Sequence, residues 1–202
     1  MRTLVWDSES ARHHRQGESW DAYAARCGIS VACTMEVESG EVKLYTEADD
    51  APNDIDSLAK DLLYADRTVS FNGLGWDWKV LANACGRSFE PKEVDLLQVI
   101  RAARPERWQE GDWTLDQTAR RTLGVGKISA IMAPTMWEKR KIGKLVSYVI
   151  RDVWLTCGLY KCGLDKGVFV GPYGGLLDVG EVLRRVIDQT AETRRLVATH
   201  PE

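Results

Sequence analysis

The chain has 202 residues, 44% hydrophobic and 28% charged, the balance of a globular protein long enough to bury one substantial core. A net charge of −3 excludes coating nucleic acid by bulk charge, but not an enzyme whose carboxylates are neutralised by metal while basic residues gather on one face. No apolar run reaches the roughly 18 residues of a membrane span. The opening MRTLVWDSES meets acids too early for a signal peptide, so a cytosolic protein is expected. Five cysteines with no CxxC pair and one left over favour buried free thiols over a disulfide framework or zinc ribbon.

In chain order, Thr3 to Asp7 is a short apolar run ending in an acid, as in a buried strand that delivers a side chain at its carboxyl end. Glu9 follows two residues on, and positions i and i+2 of a strand share a side. Asp7 and Glu9 therefore form a carboxylate pair whose repulsion a divalent cation would relieve. Residues 10–28 are polar, carry His13, His14, Trp20 and Tyr23, and read as a loop or a short helical insertion with a solvated basic face. Ile29 to Val37 and Glu41 to Thr46 alternate around Ser39-Gly40, a hairpin signal. Ile55 to Ala65 has helical spacing, with Asp54 or Asp56 as cap.

Arg67 to Phe71 is another strand, and it runs into Asn72-Gly73 and then an amphipathic segment with Asp77 in its first turn, where the helix dipole favours an acid. Asn72 can brace that turn or donate to a substrate. Val94 to Ile100 opens as a strand with Asp95 and continues as helix, and Trp113 to Leu123 is a helix capped by Thr114 and ended by Gly124 to Lys127. A basic patch from Trp137 to Lys144 leads into Leu145 to Leu159, where Tyr148 and Asp152 lie at i and i+4 on one apolar helix face. A carboxylate among leucines needs a compensating cation, whether a metal or a basic side chain. Gly167 to Gly175 is a small hairpin and Val182 to Leu196 a terminal helix rich in arginine. Of the eight tryptophans most are packing, and one or two near a site can stack on bases.

The order of these pieces, D-x-E at a strand end, N-G-x-x-x-D at a strand-to-helix turn and Y-x-x-x-D on a helix, resembles the DEDD superfamily of 3′–5′ exonucleases (DnaQ-like) in its tyrosine-bearing DEDDy branch. The histidine branch would carry its histidine five residues before the last acid, where this chain has Ser147. Trp113 to Gly124 is similar to the family's helix between the second and third motifs. The resemblance covers residues 1–162 and implies an α/β, ribonuclease H-like fold: a mixed five-stranded sheet flanked by helices, with residues 163–202 as a hairpin-helix extension packed on the same domain. It also implies two Mg²⁺ or Mn²⁺ ions held by Asp7, Glu9, Asp77 and Asp152, an attacking water oriented by Tyr148, and single-stranded 3′ ends as partners.

Two positions depart from the pattern. Ser10 stands where many members have Thr, which keeps a backbone contact to the terminal nucleotide, and Trp76 replaces an Ile or Phe before the acid, placing an indole where it crowds or stacks the substrate. Asn72 and the backbone after Glu9 are candidates for gripping the last nucleotide. Two rival readings share the fold, a non-cutting nucleic-acid-binding or partner-recruiting module and an endonuclease. DNA against RNA, Mg²⁺ against Mn²⁺ and the oligomeric state are left open.

Overall fold

A computed structural model describes residues 1–47, 53–104, 110–127 and 132–199. Five strands form one mixed sheet: β1 (Thr3–Ser10), β2 (Ile29–Glu36), β3 (Val42–Thr46), β4 (Arg67–Ser70) and β5 (Glu93–Asp95), in the order β3-β2-β1-β4-β5. The β1–β2 and β2–β3 pairs are antiparallel, whereas β1–β4 and β4–β5 are parallel. Between β1 and β2 lies α1 (Trp20–Cys27), so the polar segment there is partly helical, and Ser19 caps it by accepting the Ala22 N–H. Further helices are α2 (Ile55–Tyr64, capped by Asp54), α3 (Asp77–Cys85), α4 (Leu96–Ala103), α5 (Leu115–Leu123), α6 (Ala133–Glu138) and α7 (Ile142–Lys166).

The two-residue period of the central strand decides what the two faces of the sheet carry. Val5 faces a core with Val31, Cys33, Val69 and Val94 beneath Leu145, Val149, Val153 and Leu159 of α7. Leu4 and Trp6 face the other core, with Leu58 and Leu62 of α2 and Trp78, Val80 and Leu81 of α3. Continuing the alternation, Asp7 and Glu9 fall on the α7 side and Ser8 on the α3 side.

The chain continues through β6 (Val168–Val170) and β7 (Leu176–Asp178), an antiparallel pair, into α8 (Gly180–Thr199). Phe169, Leu177, Val179 and Leu183 join the same core as α7, and α7 runs without a break past residue 162. Gly163 permits the close approach there, since a Cβ on it would lie 2.9 Å from Leu183 Cδ2. All five cysteines are free thiols. Among the described residues no helix is long and apolar enough to cross a membrane.

Helix α5 begins where Thr114 Oγ1 accepts the Gln117 N–H at 3.3 Å, and it ends at Gly124, whose φ of 73° suits a residue without Cβ. Thr114→Ala is expected to lower stability by about 1 kcal/mol, read as a shift of the urea midpoint with an unchanged denaturant slope.

Candidate metal centre

Asp7 and Glu9 leave β1 on the side that α7 covers, and Asp152 reaches them from that helix. Ligand oxygens of these three carboxylates all lie within 4.8 Å of one another. Asp152 is 2% exposed, and its Oδ1 is buried with no hydrogen-bond partner among the described residues. Three hard oxygen donors at that spacing, one lacking a partner, are a donor set for a divalent cation of the Mg²⁺ or Mn²⁺ type.

Asp77 arrives from the other layer. The segment between β4 and α3 turns at Asn72, which has a φ of 73°, and its backbone is held by the buried Asp95 carboxylate, which accepts the N–H of Asn72 at 2.9 Å and of Leu74 at 3.2 Å. Asn72 thus braces the turn. At its far end, Trp78 Nε1 donates to Glu93 Oε2 at 3.0 Å, an oxygen that also accepts from Trp6 Nε1 at 3.4 Å and from Thr68 Oγ1. Glu93 and Asp95, two residues apart on the edge strand, therefore fix both ends of the loop that starts α3. Asp77 Oδ1 accepts from Ser8 Oγ at 2.6 Å, so this acid is tied to the residue between Asp7 and Glu9 and stands outside the three-acid cluster. Its charge still reaches across: of the neighbouring groups, Asp77 raises the Asp7 carboxyl most.

A cation already faces these acids, and sequence reasoning missed it. Lys127 Nζ lies 2.5 Å from Asp152 Oδ2 and 3.2 Å from the Tyr148 hydroxyl. Its loop is clamped at two points. Asp116 Oδ1 accepts the Lys127 N–H at 2.6 Å, and Arg151, the neighbour of Asp152, donates to the Gly126 carbonyl through Nε at 3.0 Å and Nη2 at 2.8 Å. A Cβ at 126 would lie 2.4 Å from Asp116 Oδ1, so a larger residue there would displace the carboxylate that holds the Lys127 N–H. The Gly124-Val125-Gly126-Lys127 run was the available signal, but read along the chain it marks only a helix end.

Burial, then Asp77, Asp152 and Glu9, hold the Asp7 carboxyl well above its ordinary range. Burial and Asp152 push Glu9 up to about 8, with Lys127 opposing them. Burial likewise takes Asp77 to about 7 against the Ser8 hydrogen bond. For Lys127, burial pulls the ammonium down, but Asp152 and Asp7 outweigh it and keep it above its usual value. Tyr148 is raised by burial and so remains a phenol.

Next to the acids an open cleft of about 370 Å³ is lined by Glu9, Ser10 and Trp76, by side chains of the segment holding α1, and by Met132 to Pro134. The sequence-expected residues Ser10 and Trp76 thus share a wall, whereas Asn72 does not line it. His13 and His14 separate: His13 Nε2 is 3.2 Å from Thr135 Oγ1 and 3.6 Å from Glu138, while His14 packs on the Trp20 ring at 4.9 Å.

No protein-family model and no curated protein sequence matches this chain. Among solved structures, the family B DNA polymerase from the hyperthermophilic archaeon Pyrobaculum calidifontis is similar with a TM-score of 0.62 and 18% sequence identity, over 96% of this chain and 29% of the polymerase. The chain thus spans less than a third of that protein's length. At this identity the likeness establishes the fold, and the five-stranded mixed sheet flanked by helices agrees with the ribonuclease H-like architecture expected from the motifs.

A carboxyl raised on folding binds its proton more tightly in the folded state, so its contribution to stability is present below the unfolded value of about 4.5 and is lost as pH rises to about 8, the Glu9 figure. Thermal stability measured in EDTA is therefore expected to fall between pH 5 and 8.5. Mn²⁺ should restore it at the upper end, and Asp7→Asn should flatten both responses. A pH-independent Tm in EDTA would contradict this electrostatic account.

Proposed function

We propose that this chain is a metal-dependent 3′–5′ exonuclease that hydrolyses phosphodiester bonds of single-stranded DNA or RNA. The observation that carries this reading is the convergence of Asp7, Glu9 and Asp152 within 4.8 Å, beside a phenol and a lysine. The similarity to a DNA polymerase supports nucleic acid as the partner. Asp7, Glu9 and Asp152 would hold divalent cations, with Asp77 contributing across Ser8. Two such ions, when bound, activate water and stabilise negative charge on the leaving 3′-oxygen.

The chain's own residues supply positioning. Tyr148, kept protonated by burial, offers its hydroxyl to orient the attacking water, and does not act as a strong base. Lys127 donates to that hydroxyl and to Asp152, which fixes both and places positive charge where the phosphate gains negative charge. Ser10 and Trp76 contact the terminal nucleotide from the cleft wall, and Asn72 acts by shaping the turn that sets Asp77. The nuclease unit is assigned to residues 1–162, with residues 163–202 as an extension on the same core.

Incubating 5′-labelled and 3′-labelled DNA and RNA oligonucleotides with Mg²⁺, Mn²⁺ or EDTA tests this. Stepwise shortening from the 3′ end is expected only with metal, and a blocked 3′ end should stop it; internal cutting of the blocked strand would instead identify an endonuclease. Asp7→Ala and Asp152→Ala should abolish cleavage while leaving the far-ultraviolet circular dichroism unchanged, and Lys127→Ala should lower kcat roughly 100-fold. Binding without cleavage under every metal condition would favour a non-cutting module.

A further inference from the structure

Residues 11–28 leave the sheet at an irregularity in the β1–β2 register between Glu9 and Ser10. They are tied down by their own bonds: Ala11 N–H to the Gly28 carbonyl at 3.1 Å, Tyr23 hydroxyl to the Arg12 carbonyl at 2.8 Å, and Arg26 to the His13 carbonyl at 2.7 Å and to Glu18 at 2.8 Å. This clasped segment presents Trp20 at the cleft with 67% of its surface exposed. Burying so large an aromatic surface is ordinarily favourable, and an indole held open on a rigid support is a ready platform for another flat ring.

Its surroundings suit a base. Trp76 lies 5.6 Å from Trp20 between ring centroids, at 88°, so one base cannot stack on both indoles. Tyr23 backs Trp76 at 5.2 Å and 30°, and His14 flanks Trp20. Met132, 64% exposed, lines the same cleft. Trp76 directly precedes Asp77 and so stays with the acids, whereas Trp20 is carried by the separate segment.

We propose that Trp20, flanked by His14, stacks on the base of the nucleotide next to the one being removed, while Trp76 meets the terminal base. The cleft then holds two successive bases of an unpaired strand on two differently oriented rings. A base in a duplex presents no free face to Trp20, so the platform selects single strands. This deepens the nuclease reading and takes from it only which end of the strand lies over the acids.

The test uses tryptophan fluorescence with Asp152→Asn protein, which binds without cutting, and a short single-stranded oligodeoxynucleotide in three forms: intact, abasic at the 3′-terminal position, and abasic at the next position. Adding Trp20→Ala should weaken binding of the intact and terminal-abasic strands about 10-fold. The same change should have no effect on the strand abasic at the next position, and Trp20→Phe should restore most of the affinity. Equal affinity with and without Trp20, or an equal loss on all three strands, overturns the proposal. Metal-dependent cleavage by the natural chain together with no Trp20 effect leaves the nuclease reading standing and removes this one. The selective Trp20 effect without cleavage in Mg²⁺ or Mn²⁺ does the reverse.

Discussion

Acidic groups crowded into a small, partly buried space are the constraint on which this molecule depends. Asp7, Glu9 and Asp152 share one neighbourhood, and each is raised by burial before any neighbour acts on it. Such a group is tolerated by keeping its protons or by drawing positive charge to it. Lys127 supplies one positive charge, on a loop closed by Arg151 on the Gly126 carbonyl and by Asp116 on the Lys127 N–H. One ammonium does not balance three ionised carboxylates, so full ionisation of the cluster would be eased by a small, hard cation.

The supporting fold keeps those charges close without letting them collapse together. Asp7 and Glu9 are fixed by the sheet, Asp152 by the long helix over one face, and Asp77 by the start of a helix over the opposite face. The serine between the first two acids bridges the layers by donating to Asp77. Behind it, Glu93 and Asp95 hold the Asn72 to Trp78 segment from both ends, and Glu93 also accepts from Trp6, the residue before Asp7. The elements carrying the first and second acidic motifs therefore meet on one buried carboxylate, whose own accommodation depends on three donors.

Much of this was legible in the sequence because it is local. The alternation in β1 put Asp7 and Glu9 on one side, the i, i+4 spacing put Tyr148 beside Asp152, and the Asn-Gly turn placed Asp77 at a helix start. What escaped depends on closure in three dimensions. Lys127 enters only because a loop folds back onto α7, and nothing along Gly124 to Lys127 announces that contact. The segment before β2 reads as a loop or a short helical insertion with a solvated basic face, and what that reading lacks is the packing of its Trp20 and Tyr23 on Trp76 from a distant stretch of the chain. Of the four acids expected from motif order, Asp7, Glu9 and Asp152 lie together within 4.8 Å, while Asp77 comes from the opposite layer and is held to Ser8.

The slipped pairing between Glu9 and Ser10 separates two structural tasks that the chain otherwise joins. A bulge absorbs a change of path within one residue and leaves the ladder before it untouched. Whatever is grafted after that point can lengthen, shrink or change its rings while the carboxylates one step upstream keep their aim. The ladder that aims the acids is thus mechanically separate from the segment that shapes the neighbouring cleft.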